Sequence, residues 1–86
     1  MNEQRLLRII ERASDEKSEY LYLSDLGLNS LPREIGRLTN LRQLFLSKNQ
    51  LSSLPAEIGQ LTNLQTLWLE FNQLTSLPLE LSLIHI

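Results

Sequence analysis

Residues 41–63 read LRQLFLSKNQLSSLPAEIGQLTN, and residue 64 opens a second run, LQTLWLEFNQLTSLPLE, that follows it column by column. Upstream, residues 18–40, SEYLYLSDLGLNSLPREIGRLTN, fall on the same 23-residue period. Leu21, Leu44 and Leu67 share one column, and Leu23, Leu46 and Leu69 share the column two residues on. That spacing is the signature of a strand with one buried face. Leu28, Leu51 and Leu74 follow, then Leu31, Leu54 and Leu77, then Pro32, Pro55 and Pro78. Ile35 with Ile58, and Leu38 with Leu61, complete the inward set. One such match arises by chance in a leucine-rich chain; three in register, with proline and glutamate columns, do not. A period of this length predicts stacked coils, each with one short strand and a return through a helical or 3-10 segment. No single copy can bury its leucines, so the core forms only between neighbours.

Asn49 and Asn72 share a column where a side chain can hydrogen-bond backbone groups at a turn. The first copy has Leu26 there, followed by Gly27, as an atypical terminal repeat allows. Asn40 and Asn63 form a second column just before the strands, and a turn role is the expectation.

Residues 1–17 leave the repeat. Leu6, Ile9, Ile10 and Ala13 recur at i, i+3, i+4 and i+7, with Leu7 beside them, while Arg5, Arg8, Glu11 and Arg12 occupy other faces. This predicts an amphipathic helix. Asn2 suits its N-cap and Glu3 its positive end. The helix is expected to cap the leucines of the first coil. The rival reading is a membrane-surface or partner-binding helix, but four basic and four acidic residues balance in this segment, without the basic bias of a membrane-surface helix.

The chain of 86 residues has room for one small domain. It is 42% hydrophobic and 21% charged, which suits a packed globular chain. Its net charge of -2 provides no footprint for nucleic acid. There is no cysteine, hence no disulfide, thiol nucleophile or cysteine metal site, as is compatible with a reducing cytosol. MNEQRLLRIIERASDEK lacks the apolar run of a secretory signal, and no run approaches the roughly 18 residues of a membrane span. A cytoplasmic location and no membrane partner are expected.

The columns spell the leucine-rich repeat pattern L-x-x-L-x-L-x-x-N-x-L, and LPxEIGxLTNL resembles the intracellular 23-residue class of that family. The class includes Ras-binding scaffolds, plant intracellular Ras-group repeats and the repeat arms of bacterial Roco-type proteins. The resemblance covers residues 18–80. It implies an α/β leucine-rich-repeat solenoid, with a parallel sheet on the concave face and short helical or 3-10 segments on the convex side, opened by an N-terminal capping helix. It also implies protein partners on the concave face, with a small GTPase or a domain of the same full-length chain as candidates. A GTPase domain follows the repeats in Roco-type proteins, but no G-x-x-x-x-G-K-[ST] phosphate loop occurs in this chain. Repeats of bacterial ubiquitin-ligase effectors also carry LP but are shorter than this period.

Alternate strand residues face away from the core. Tyr22, Phe45 and Trp68 occupy the central outward column. Parallel strands lie about 4.7–4.9 Å apart, and aromatic pairs are favourable at roughly 4.5–7 Å between centroids. The three rings are therefore expected to touch along a stripe. That stripe can be a ladder that stabilises the sheet, an interface anchor, or both. Tyr20, Gln43 and Thr66 lie two residues earlier; Ser24, Ser47 and Glu70 two later; Asp25, Lys48 and Phe71 next. The expected partner-binding set is Tyr20, Tyr22, Asp25, Gln43, Phe45, Lys48, Thr66, Trp68, Glu70 and Phe71. Most of the flanking residues could equally be solvated surface.

Catalytic chemistry finds little support. The chain's one histidine, His85, lies in the last six residues, so His-based triads and the usual metal clusters cannot be assembled. Glu34, Glu57 and Glu80 recur at repeat spacing, which suits a helix start or solubility better than a catalytic pair. Gly27, Gly36 and Gly59 read as scattered turn residues. The expectation is no enzyme and no cofactor.

The tail, LSLIHI at 81–86, is where the pattern blurs. Leu81, Ser82 and Ile84 are mild replacements in register, so a degenerate repeat is one reading. A repeat array needs a polar cap at its end, however, and this hexapeptide is apolar. It also equals one translated frame of a sequencing-library transposon adapter, CTG TCT CTT ATA CAC ATC. The expected organisation is thus a capping helix (1–17), three repeats (18–40, 41–63 and 64–80 onward) and a foreign or degenerate tail (81–86). A stack open at its last coil is expected to be weakly stable or to self-associate there. The functional expectation is a non-catalytic protein-interaction module, the N-terminal piece of a longer repeat protein. The alternatives are the regulatory arm of a multidomain Roco-type GTPase or other enzyme, and a self-assembling structural array.

Overall fold

The computed structural model describes residues 1–75. Within them, helix α1 (Glu3–Asp15) is followed by strand β1 (Tyr20–Tyr22), the 3-10 segment η1 (Arg33–Arg37), β2 (Gln43–Phe45), η2 (Ala56–Gln60) and β3 (Thr66–Trp68). The strands form one parallel sheet in the order β1-β2-β3. Its register is that of the repeat: Tyr20, Gln43 and Thr66 pair, as do Leu21, Leu44 and Leu67, and Tyr22, Phe45 and Trp68. The expected solenoid is thus observed, with strand and return segment alternating once per 23 residues. The third return segment and the tail at 81–86 lie outside the described residues.

α1 forms where the apolar spacing placed it. The Asn2 side chain accepts from the Arg5 N–H at 2.8 Å, as an N-cap should. Leu6, Ile10 and Ala13 are buried in the same core as the coil leucines, with Ile9 half-buried beside them. At the other end the Ser18 N–H donates to Ala13 O (3.0 Å) and the Lys17 N–H to Ser14 O (3.1 Å). This Schellman closure holds Lys17 at φ 52, a position that favours glycine.

Each turn into a 3-10 segment is shaped by proline. Pro32 and Pro55 sit extended at the N-caps of η1 and η2, and their carbonyls accept from the Ile35 and Ile58 N–H groups at 3.1 Å. Ile35 and Ile58 are then driven fully into the core. Glu34 and Glu57 fall in the first turns of these segments. Gly27 is a turn residue at φ +67, but Gly36 and Gly59 are not: both lie inside the 3-10 segments. A side chain at Gly36 would meet Glu57 O at 3.0 Å and Glu57 Cβ at 3.1 Å. The glycine therefore permits η1 and η2 to stack closely, a packing role rather than a turn role.

The core holds leucine, isoleucine and one alanine, with Leu23, Leu44, Leu46 and Leu51 fully buried. Leu41 and Leu64 belong to it as well, although the expected inward set omitted them. They recur one period apart, and Ser18 stands in their column of the first copy. Conversely, Leu69 and Leu74 of the third coil are only half-buried, unlike their buried equivalents Leu46 and Leu51.

Candidate functional site

The buried asparagine Asn49 fixes the ends of β1 and β2. Its Nδ2 donates to Leu23 O and Leu46 O at 2.9 Å and to Ser47 O at 3.3 Å. Its Oδ1 accepts from the Leu26 N–H (3.1 Å) and the Leu28 N–H (3.0 Å). One amide thus ties two coils together and satisfies five backbone groups that a buried turn would otherwise leave unpaired. Asn72 repeats the device, donating to Leu46 O and Leu69 O and accepting from the Leu51 N–H. Asn63 bridges coils at the opposite end of the strands by donating to Thr39 O at 2.8 Å.

This scaffold presents the outward columns. Tyr22 and Phe45 stack with centroids 4.5 Å apart and planes 12° from parallel; Phe45 and Trp68 stack at 5.8 Å and 4°. Ring faces therefore point along the sheet, toward one another, and ring edges point to solvent. Tyr22 is 70% exposed and Trp68 40%, with Phe45 half-buried between them. Tyr20 is exposed in the neighbouring column, where Gln43 and Thr66 are half-buried. On the other side the Ser47 hydroxyl donates to a Glu70 carboxylate oxygen at 3.2 Å.

Asp25, Lys48 and Phe71 end the face, and all three are exposed. Each has positive φ, 58, 59 and 61 respectively. Strand alternation would turn the residue after Ser24, Ser47 or Glu70 inward; the left-handed backbone turns it out again. Two outward residues in succession result. The sequence places this column on the face; the left-handed backbone that turns it outward is not legible there, because residues of three chemistries occupy the column and none is glycine.

The chain has two tyrosines, two phenylalanines and one tryptophan. All five lie on this face or at its edge, and none is in the core. Among the described residues there is no group of His, Cys, Asp and Glu placed to hold a metal, and no helix long and apolar enough to cross a membrane.

The family described as Leucine Rich repeats (2 copies) matches residues 39–82, just over half of the chain. The chain belongs to the leucine-rich repeat family. Leucine-rich repeats generally mediate protein–protein interaction and are typically not enzymes. A solved structure, that of a leucine-rich-repeat protein of Leptospira interrogans, is similar at 51% identity with a TM-score of 0.72. The match covers 73% of this chain and 16% of that one. No curated protein matches.

Proposed function

We propose that this leucine-rich-repeat chain is a non-catalytic protein-binding module that holds its partner against the concave sheet face. The observation that carries the reading is the exposed stack of Tyr22, Phe45 and Trp68, in a chain that keeps every aromatic out of its core. Aromatics at a rigid surface supply large contact area at small cost in side-chain entropy and dominate binding hot spots. Tyr20, Gln43, Thr66 and Glu70 flank the stack with hydrogen-bonding groups, and Asp25, Lys48 and Phe71 edge it. The chain spans only 16% of the Leptospira protein it resembles, which supports its reading as part of a longer array. On that reading a partner is a separate protein, such as a small GTPase, or another domain of the same full-length chain. The site is cytoplasmic in this proposal.

Affinity capture with the wild-type chain and with Tyr22, Phe45 and Trp68 all changed to Ser tests the reading. Proteins captured by the wild type alone, with dissociation constants then measured on the purified partner, are the expected outcome, provided circular dichroism shows the variant folded. Equal affinity for both chains would remove the stack from the binding site. The reading as a regulatory arm of a larger enzyme is separated by extending the source DNA across codon 80: a phosphate-loop motif downstream favours it.

A further inference from the structure

We infer that Asp25, Lys48 and Phe71 form the specificity-determining edge of the sheet face, and that they fit an amphipathic helix presenting a cation, a carboxylate and an apolar side chain in that order. The inference deepens the proposed binding function and rests on it. The left-handed region admits glycine freely and asparagine or aspartate passably, whereas for a bulky residue it is an outlier. At Asp25 and Lys48 the coil imposes it. The Asp25 N–H donates to Ser47 O (3.0 Å) and the Lys48 N–H to Glu70 O (2.9 Å), and Asn49 pins the backbone on either side. Glycine would satisfy the same backbone, yet the three coils carry an acid, a base and a phenylalanine. Phe71 is the sharpest case, since it combines φ 61 with 76% exposure. Its ring stands largely in solvent at the edge of the described coils. Strained, exposed residues of this kind point to function.

The order along the solenoid is negative, positive, apolar. Strand spacing places successive members about 4.8 Å apart, and the adjacent aromatic centroids step by 4.5 and 5.8 Å. A helix rises about 1.5 Å per residue, so positions i, i+3 and i+7 step by about 4.5 and 6 Å. A helix laid across the strands can therefore set Lys or Arg against Asp25, Asp or Glu against Lys48, and an aliphatic residue against Phe71. Its remaining apolar positions would meet the ring edges of Tyr22, Phe45 and Trp68.

The test is a phage-displayed library of helices of about 18 residues, five turns, randomised on one face and selected on the wild-type chain. The enriched helices are then measured on three variants: Phe71→Gly, the reversal Asp25→Lys with Lys48→Asp, and Tyr22, Phe45 and Trp68 all to Ser. The expected result is enrichment of the basic–acidic–apolar order. Phe71→Gly should raise the melting temperature by about 3 °C while weakening binding at least about 10-fold. Selection on the reversal should enrich the opposite charge order. Helices without the charge order, or helices indifferent to Phe71→Gly, overturn the inference. If those same helices are lost on the triple Ser variant, the sheet face stands as the binding site and only the edge column fails. No enriched helix overturns the inference alone, whereas helices that bind the triple variant equally well overturn the sheet-face reading and the inference with it.

Discussion

Single residues decide whether the coils can close. Asn49 satisfies five backbone groups from within the core, so Asn49→Ala would strand the N–H groups of Leu26 and Leu28 and the facing carbonyls. Unpaired buried groups cost about 1–3 kcal/mol each, and a loss of about 3 kcal/mol or more is expected. Asn72→Ala, at a half-buried site with three such bonds, should cost less. Urea unfolding of the two variants checks the order; equal costs would mean that the amide ladder is not what holds the turns. Lys17 runs the other way. Its φ of 52 in the Schellman closure is relieved by Lys17→Gly, and after the entropy lost to a more flexible unfolded chain a net gain of about 0.5 kcal/mol is expected. The asparagine column was legible in the sequence because its period is fixed and its chemistry narrow. The left-handed positions at 17, 25, 48 and 71 were not: a φ value leaves a trace only when glycine or asparagine takes the site, and here Lys, Asp, Lys and Phe do.

At the scale of elements, strands follow from alternation and α1 from its 3.6-residue period, and both appear where those periods put them. The stacked rings follow too, since in-register pairing sets Tyr22, Phe45 and Trp68 directly side by side across the strands. The packing of the return segments was less legible. Gly36 looked like a turn residue because glycine usually is one, and only the approach of η2 gives its real constraint. Gly36→Ala would push a methyl group against Glu57 O and Glu57 Cβ, and against the more yielding end of the Gln60 side chain. A loss of about 1–2 kcal/mol is expected from this overpacking. Gly27→Ala meets no atom within 4 Å and suffers only its left-handed backbone, about 1 kcal/mol. Thermal melts of both separate the two causes: with Gly36→Ala harmless, close approach of the 3-10 segments would not be what shapes the convex side.

For the molecule as a whole, stability is expected to be graded along the stack, because each coil is held by its neighbours rather than by a central core. The first end is sealed, with Leu6, Ile10 and Ala13 of α1 buried against the first coil. Burial falls off toward the other end of the described residues, where Leu69 and Leu74 are half-buried while Leu46 and Leu51 are fully enclosed. Half-buried leucines in a stack are a surface that a further coil, or a second molecule, can cover. The 86-residue chain is accordingly expected to gain mass with concentration in sedimentation equilibrium. Leu69→Glu together with Leu74→Glu should return it to a monomer, whereas the Tyr22, Phe45 and Trp68 triple Ser variant should not. Trp68, the one tryptophan, lies on β3 and reports the same end by fluorescence. Its emission should begin to change at lower urea concentration than the helical circular dichroism of α1, by fraying of the third coil ahead of the sealed end. Coincident transitions, with a mass independent of concentration, would show instead that the stack melts as one unit and that its last described coil is as well held as its first.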